Sequence, residues 1–216
     1  MVVLYHGREE RKGDNVKPYY EASEQNKAPI LEALRQLFVE PGLILEIGSG
    51  TGQHVVHFAR HLPHLAWLPT DIPEQLPGIR LWVEEAALAN IREPLALDVA
   101  AFPWPVGEVD GVYSANTAHI MHWPQVEAMF RGVGQVLKPG GLFCLYGPFQ
   151  YGGEHTSPSN ARFHASLQAR DPGMGVRDVE ELNQIAATNG LVLARDLEMP
   201  VNNRTLVWQK AVSEGG

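Results

Sequence analysis

Three glycines spaced two apart lie in the segment Glu46-Ile47-Gly48-Ser49-Gly50-Thr51-Gly52. The segment follows a short apolar run, LILEI, and precedes an apolar helical pattern, QHVVHFARHL. Glycines at such a strand-to-helix turn let the backbone pass close to a ligand and adopt positive φ. The dinucleotide pattern GxGxxG needs a further glycine where this chain has Gln53, one residue after Gly52. The shortened turn suits a ligand without a pyrophosphate and weakens the alternative of an NAD-dependent oxidoreductase. Asp71 follows a second apolar run, LAWLPT, where a carboxylate is able to accept both hydroxyls of a ribose. Asp98 and Val99 close a third, PLALDV, where a carboxylate is able to accept an amino proton from adenine; Asn116 ends a fourth, VDGVYSAN. All four lie where the carboxyl ends of parallel strands bind ligands.

Two further groups carry reactive side chains. NTAHIMHW supplies His119, His122 and Trp123 just past the fourth run. The stretch after the fifth run supplies Tyr146, Phe149, Tyr151, His155, Ser159 and Asn160. Polar and aromatic residues over the carboxyl edge of a sheet are placed to cover a substrate. Trp123, Tyr146, Phe149, Tyr151 and Asn160 are therefore candidate substrate contacts, and His119 and His155 are candidate bases, because imidazole titrates near neutrality. His54, His57 and His61 recur at helical spacing and are expected on a solvated face. With no cysteine cluster and no HExxH, no metal is expected. Trp67, Trp82 and Trp104 are expected to pack rather than to stack on a ligand.

These residues are positioned by strands alternating with helices, a pattern that argues for a parallel sheet covered on both faces. A helix is expected over NKAPILEALRQLF with Pro29 in its first turn, and others over QHVVHFARHL, RLWVEEAALAN and VEAMFRGVGQVL. Lys138-Pro139-Gly140-Gly141 reads as a turn before GLFCLYG. Past residue 147 the pattern changes, and residues 147–176 are expected to form a substrate lid loosened by Gly147, Gly152 and Gly153. A helix is expected around Ala161–Arg170, and another starts at Asp178, which has capping-box spacing to Glu181. LVLARDLEM and RTLVWQK are joined by Pro200-Val201-Asn202-Asn203, a link short enough to favour an antiparallel hairpin.

The 216 residues, 44% apolar and 19% charged, fit one globular domain over 1–216, with the polar residues 1–18 expected to be mobile. The formal charge of −8 argues against steering nucleic acid or an anionic membrane. One cysteine, Cys144, and the lack of an apolar signal core or membrane-length run suggest a soluble cytoplasmic protein.

The motifs over residues 42–147 resemble those of class I S-adenosylmethionine-dependent methyltransferases. The wider chain resembles the methyltransferase-like 26 family through NKAPILEAL, LEIGSGTGQHVVHFA, GQVLKPGGLFCLYGPF, HTSPSNARFHASLQARDP and MPVNN. The resemblance implies a seven-stranded doubly wound α/β sheet of order 3-2-1-4-5-7-6 with the last strand antiparallel. It implies binding of S-adenosyl-L-methionine at Glu46, Gly48, Gly50, Gly52, Asp71 and Asp98, with Ser49, Thr51, Val99 and Asn116 alongside. Enzymes that methylate amide or base nitrogens often carry an Asn/Asp-Pro-Pro-aromatic turn where this chain has Asn116-Thr117-Ala118-His119. A small-molecule acceptor is the expectation, with a protein acceptor, or a scaffold or sensor without turnover, as alternatives.

Overall fold

Most of the chain's apolar runs become strands of one sheet because they are short, carry β-branched or aromatic residues, and are flanked by breakers. The computed structural model describes residues 17–212. The expected mobile stretch falls outside the described residues up to position 16. The elements are α1 (Glu21–Leu37), β1 (Gly42–Ile47), α2 (Gln53–His61), β2 (Leu65–Asp71), α3 (Leu76–Ala86), β3 (Leu95–Ala96), β4 (Val109–Ala115), α4 (Trp123–Val136) and β5 (Leu137–Gly147). They continue with β6 (Phe149–Tyr151), β7 (Glu154–His155), α5 (Pro158–Arg170), β8 (Arg177–Asp178), α6 (Val179–Thr188), β9 (Leu191–Met199) and β10 (Asn203–Lys210). Seven strands form the main sheet in the order β3-β2-β1-β4-β5-β10-β9, as the resemblance implied. β10 runs antiparallel to both β5 and β9.

The sheet is covered on both faces. Strand alternation sends Ile44, Tyr113, Cys144 and Val207 to a core shared with α1 and α2. Leu45, Val112, Phe143 and Leu206 point to the opposite core, under α4 and α6. There Phe130, Phe143 and Trp208 meet with ring centroids 5.1 to 5.6 Å apart. Aromatic pairs at such separations add about 0.5–1.5 kcal/mol each beyond burial.

Several local expectations are corrected. Pro29 sits inside α1, not in its first turn, because the helix begins five residues before Asn26. α3 begins at Leu76 with proline in its first turn and ends where Ala87 turns left-handed at φ 49°. Lys138–Gly141 belongs to β5, which pairs with β4 on both sides of a register shift. His54 is buried, with 7% exposure, rather than on a solvated face. Residues 149–155 are not a loose cover: β6 and β7 form an antiparallel hairpin, and β8 adds in parallel on the other side of β6. Gly152 and Gly153, at φ 58° and 80°, form its two-residue turn, so their freedom is spent on a fixed conformation.

Candidate active site

The glycine turn sits at the carboxyl edge of β1, between the two strands that flank it. Gly48, Gly50 and Gly52 all have positive φ, at 72°, 58° and 90°. Each is confined differently. A Cβ on Gly48 would collide with the Thr117 methyl group, and one on Gly52 would lie 3.1 Å from Ile79 Cα. A Cβ on Gly50 would meet nothing within 4 Å among the described residues, which leave open space beside this glycine. The Gly50 N–H donates to Asp71 Oδ2 at 2.7 Å, and the Ile72 N–H donates to Asp71 Oδ1 at 2.8 Å. Asp71 thereby braces the turn while keeping lone pairs for a ligand. Burial raises its pKa. The adjoining Ile72 side chain is apolar and 46% exposed.

Glu46 lies beneath the turn, 2% exposed, and accepts a 2.6 Å hydrogen bond from Ser49 Oγ. Desolvation pushes its pKa up to about 7, with the Asp71 charge adding to the rise and Ser49 opposing it. Thr51 is buried and donates to Gln53 Oε1 at 3.0 Å. Asp98 is exposed and accepts the Ala100 N–H at 2.9 Å, so it also serves as a local turn residue; Val99 beside it is buried. Asn116 ends β4 in the left-handed region, at φ 58°, with its N–H on the Tyr146 carbonyl.

His119 is 6% exposed, packed edge-on against Phe163 with 5.1 Å between centroids. Its Nδ1 stands 3.8 Å from where a Gly147 Cβ would be, at the end of β5. Neither ring nitrogen makes a hydrogen bond among the described residues. Desolvation, with the Arg177 charge, lowers its pKa to about 4, so the ring is neutral at pH 7. His155 is placed elsewhere: it engages Gln150 on β6 and stacks edge-on against His164 of α5 at 4.9 Å. Among the described residues, none of these contacts ties it to the glycine turn.

Of the five candidate substrate contacts, Tyr146 fits best. It lies near the end of β5, where Asn26 of α1 and Asn203 of β10 act on its hydroxyl to lower its pKa; burial nevertheless pushes it up to about 12. Trp123, half-buried, faces the Arg177 guanidinium at 5.8 Å. The other three have contacts elsewhere in the fold. Phe149 is a core residue, 2% exposed. Tyr151 donates to Asp196 Oδ2 on β9 at 2.7 Å, because alternate residues of β6 share one face. Asn160 is 6% exposed and ties α5 to the Asn202 carbonyl at 2.9 Å.

Sequence reasoning missed the polar chain behind Tyr146. Tyr113 Oη meets His54 Nδ1 at 3.3 Å, and His54 Nε2 meets Asn26 Oδ1 at 2.8 Å. With its pKa lowered to about 4, chiefly by desolvation, His54 is neutral and so donates from Nε2 while accepting at Nδ1. Arg177 was missed too; it donates to the carbonyls of Ala118, Met121 and Gly173 and so fixes the segment that carries His119. The available signal was the pair of segments NKAPILEAL and MPVNN, which contain Asn26 and Asn203.

A family model described as "Protein of unknown function (DUF938)" matches residues 17–210. An uncharacterized methyltransferase of Synechocystis sp. is 32% identical over 113 residues, covering 52% of this chain and 50% of that protein. The chain thus spans half the length of that curated relative. Among solved structures, an O-methyltransferase family protein of Burkholderia thailandensis superposes with a TM-score of 0.75 at 14% identity, over 87% of this chain and 57% of that one. Human N-acetylserotonin methyltransferase in complex with SAM gives a TM-score of 0.75 at 16% identity, over 89% and 53%. These similarities establish a Rossmann-like methyltransferase fold.

Proposed function

We propose that this chain, which belongs to the family named in that match, is an S-adenosyl-L-methionine-dependent methyltransferase acting on a small-molecule acceptor. The observation that carries the reading is the braced glycine turn: three positive-φ glycines, open space at Gly50, and Gly50 held by the carboxylate of Asp71. Bound there, the cofactor supplies a methyl group on a positively charged sulfur, an excellent leaving group. The residues present fit it. Asp71 has lone pairs left for the ribose hydroxyls, Ile72 offers an exposed apolar surface to a flat base, and Asp98 and Val99 stand at the adjoining strand end. Asp71 gives the site negative charge to set against a sulfonium, and Glu46 adds to it when ionised.

Beyond the cofactor, the protein's task is to position the acceptor and exclude water. Tyr146, oriented by Asn26 and Asn203, is placed to hydrogen-bond the acceptor. His119, neutral and with neither ring nitrogen hydrogen-bonded among the described residues, is the base we assign. A hydroxyl proton becomes strongly acidic as the new bond to carbon forms, so a weak base suffices. His155 has no such place in the site. A single domain over 1–216, a cytoplasmic setting, the absence of a nucleic-acid partner and the closer likeness to the methyltransferase-like 26 family belong to the same proposal.

Incubation with S-adenosylmethionine and a panel of hydroxylated aromatic compounds, read by mass spectrometry for S-adenosylhomocysteine, tests the reading. Turnover with a panel member supports it. Turnover only with a protein extract moves the acceptor class to protein. Cofactor binding without turnover in either mixture leaves a scaffold or sensor. Thermal stabilisation by NAD and not by S-adenosylmethionine overturns it.

A further inference from the structure

Gln53 and Trp82 are tied to a segment that neither the fold nor the proposed chemistry requires. The Tyr20 N–H donates to Gln53 Oε1 at 2.7 Å, and Gln53 itself is 3% exposed. Two residues earlier, the Pro18 carbonyl accepts the Trp82 indole N–H at 2.8 Å. Lys17 Nζ lies over the Trp82 ring, 4.0 Å from its centroid, and pairs with Glu85 at 2.5 Å. Pro18 lies so close to α3 that a Cβ on Gly78 would stand 2.6 Å from its Cγ.

Both anchor points adjoin the glycine turn. Gln53 directly follows Gly52, and a Cβ on Gly52 would touch Trp82 Cβ at 3.2 Å. Residues 17–20 therefore bridge α3, from Gly78 to Glu85, and Gln53 at the start of α2, beside the glycine turn. The two ends of the bridge differ. The Tyr20–Gln53 end rests on a buried side chain, whereas the Lys17 end rests on Glu85, whose side chain is 68% exposed. A buried tie suits a hinge, and a solvated one suits a latch.

We infer that residues 17–20 are a gate on the cofactor site, hinged at Tyr20–Gln53 and latched by Lys17 and Pro18 on Trp82 and Gly78. The inference rests on reading the glycine turn as the cofactor site. Cofactor entry and product release then require the latch to open, as lids do in many enzymes. Gln53, which displaces the third glycine of a dinucleotide motif, acquires a role as the hinge post.

Gly78→Ala tests this directly. Alanine is a better helix former than glycine, so α3 is retained, while the new Cβ overlaps Pro18 and displaces the latch. Lys17→Ala is the second variant, since it removes the cation–π contact and the ion pair at the surface. Rapid mixing of the full chain with S-adenosylhomocysteine, followed by tryptophan fluorescence, gives association and dissociation rate constants. Both constants are expected to rise together, by roughly tenfold, with little change in their ratio. Wild-type rates in a folded Gly78→Ala protein, or in Lys17→Ala if the first does not fold, overturn the gate. A rise in dissociation alone also overturns it, because the segment would then be a ligand contact. Failure of the wild-type protein to bind S-adenosylhomocysteine at all sinks the cofactor reading itself.

Discussion

Asp71 has two duties that a single substitution separates from the rest of the site. Its carboxylate braces Gly50 and, in the proposed complex, accepts the ribose hydroxyls. Asp71→Ala is expected to weaken S-adenosylhomocysteine binding by about 1.5–3 kcal/mol, the scale of hydrogen bonds to a charged group, as measured by calorimetry. Unchanged affinity would mean that the ribose lies elsewhere. Gly50→Val is expected to abolish binding while circular dichroism stays near wild type. The added side chain enters the space open at Gly50, and the backbone at φ 58° disfavours a branched residue. A folded variant of full affinity would contradict this. The strand-to-helix turn with Gly48, Gly50 and Gly52 was legible in the sequence because positive-φ backbone demands glycine at that spacing. Asn26 and Asn203 were not, because they meet Tyr146 only through the folded sheet and helix α1. His54 was misread because a helical wheel does not say which other helix covers it.

At the scale of elements, strand alternation and helical periodicity located every long element and the two-residue β3, while β6, β7 and β8 escaped. β6, β7 and β8 have two or three residues each, too few to show a period, and their pairing is set by tertiary contacts. Asp178 shows how closely this small sheet is bound to its neighbours. Its Oδ1 accepts the Glu180 N–H at the start of α6, and its Oδ2 accepts the Gly153 N–H in the hairpin turn at 2.6 Å. Asp178→Ala is expected to destabilise the protein by about 1–2 kcal/mol in urea unfolding, the cost of a lost helix cap with an added partner. Hydrogen exchange at residues 150–155 should speed up in the same variant. Wild-type exchange there would mean that the turn does not depend on Asp178. Pro29 marks the other limit of local reading: proline favours a first turn, but contacts of the preceding residues with α2, such as Ser23 and Asn26 with His54, carry the helix past it.

For the whole molecule, the strand order came from the family resemblance, since spacing alone does not order parallel strands, and the structure agrees with it. The buried ionisable groups then set a pH dependence. His54, His57 and His119 have pKa values lowered from 6.5 to about 4, each chiefly by desolvation. Between these values the unfolded chain binds more protons than the folded one, so stability falls as pH drops from 6.5 toward 4. Glu46, raised from 4.5 to about 7, acts in the opposite sense, as does Asp71, whose pKa is also raised. Three histidines outweigh Glu46 across pH 4.5–6.5, so calorimetric Tm should fall on acidification, and Glu46→Gln should steepen the fall. A flat or rising Tm would contradict this balance. The central claim is that the glycine turn holds S-adenosylmethionine and its product rather than a dinucleotide. The most direct test is a pair of calorimetric titrations of the same 216-residue chain, one with S-adenosylhomocysteine and one with NAD. The account predicts saturable one-to-one binding of S-adenosylhomocysteine and no heat of binding with NAD. Saturable binding of NAD with none of S-adenosylhomocysteine would contradict it.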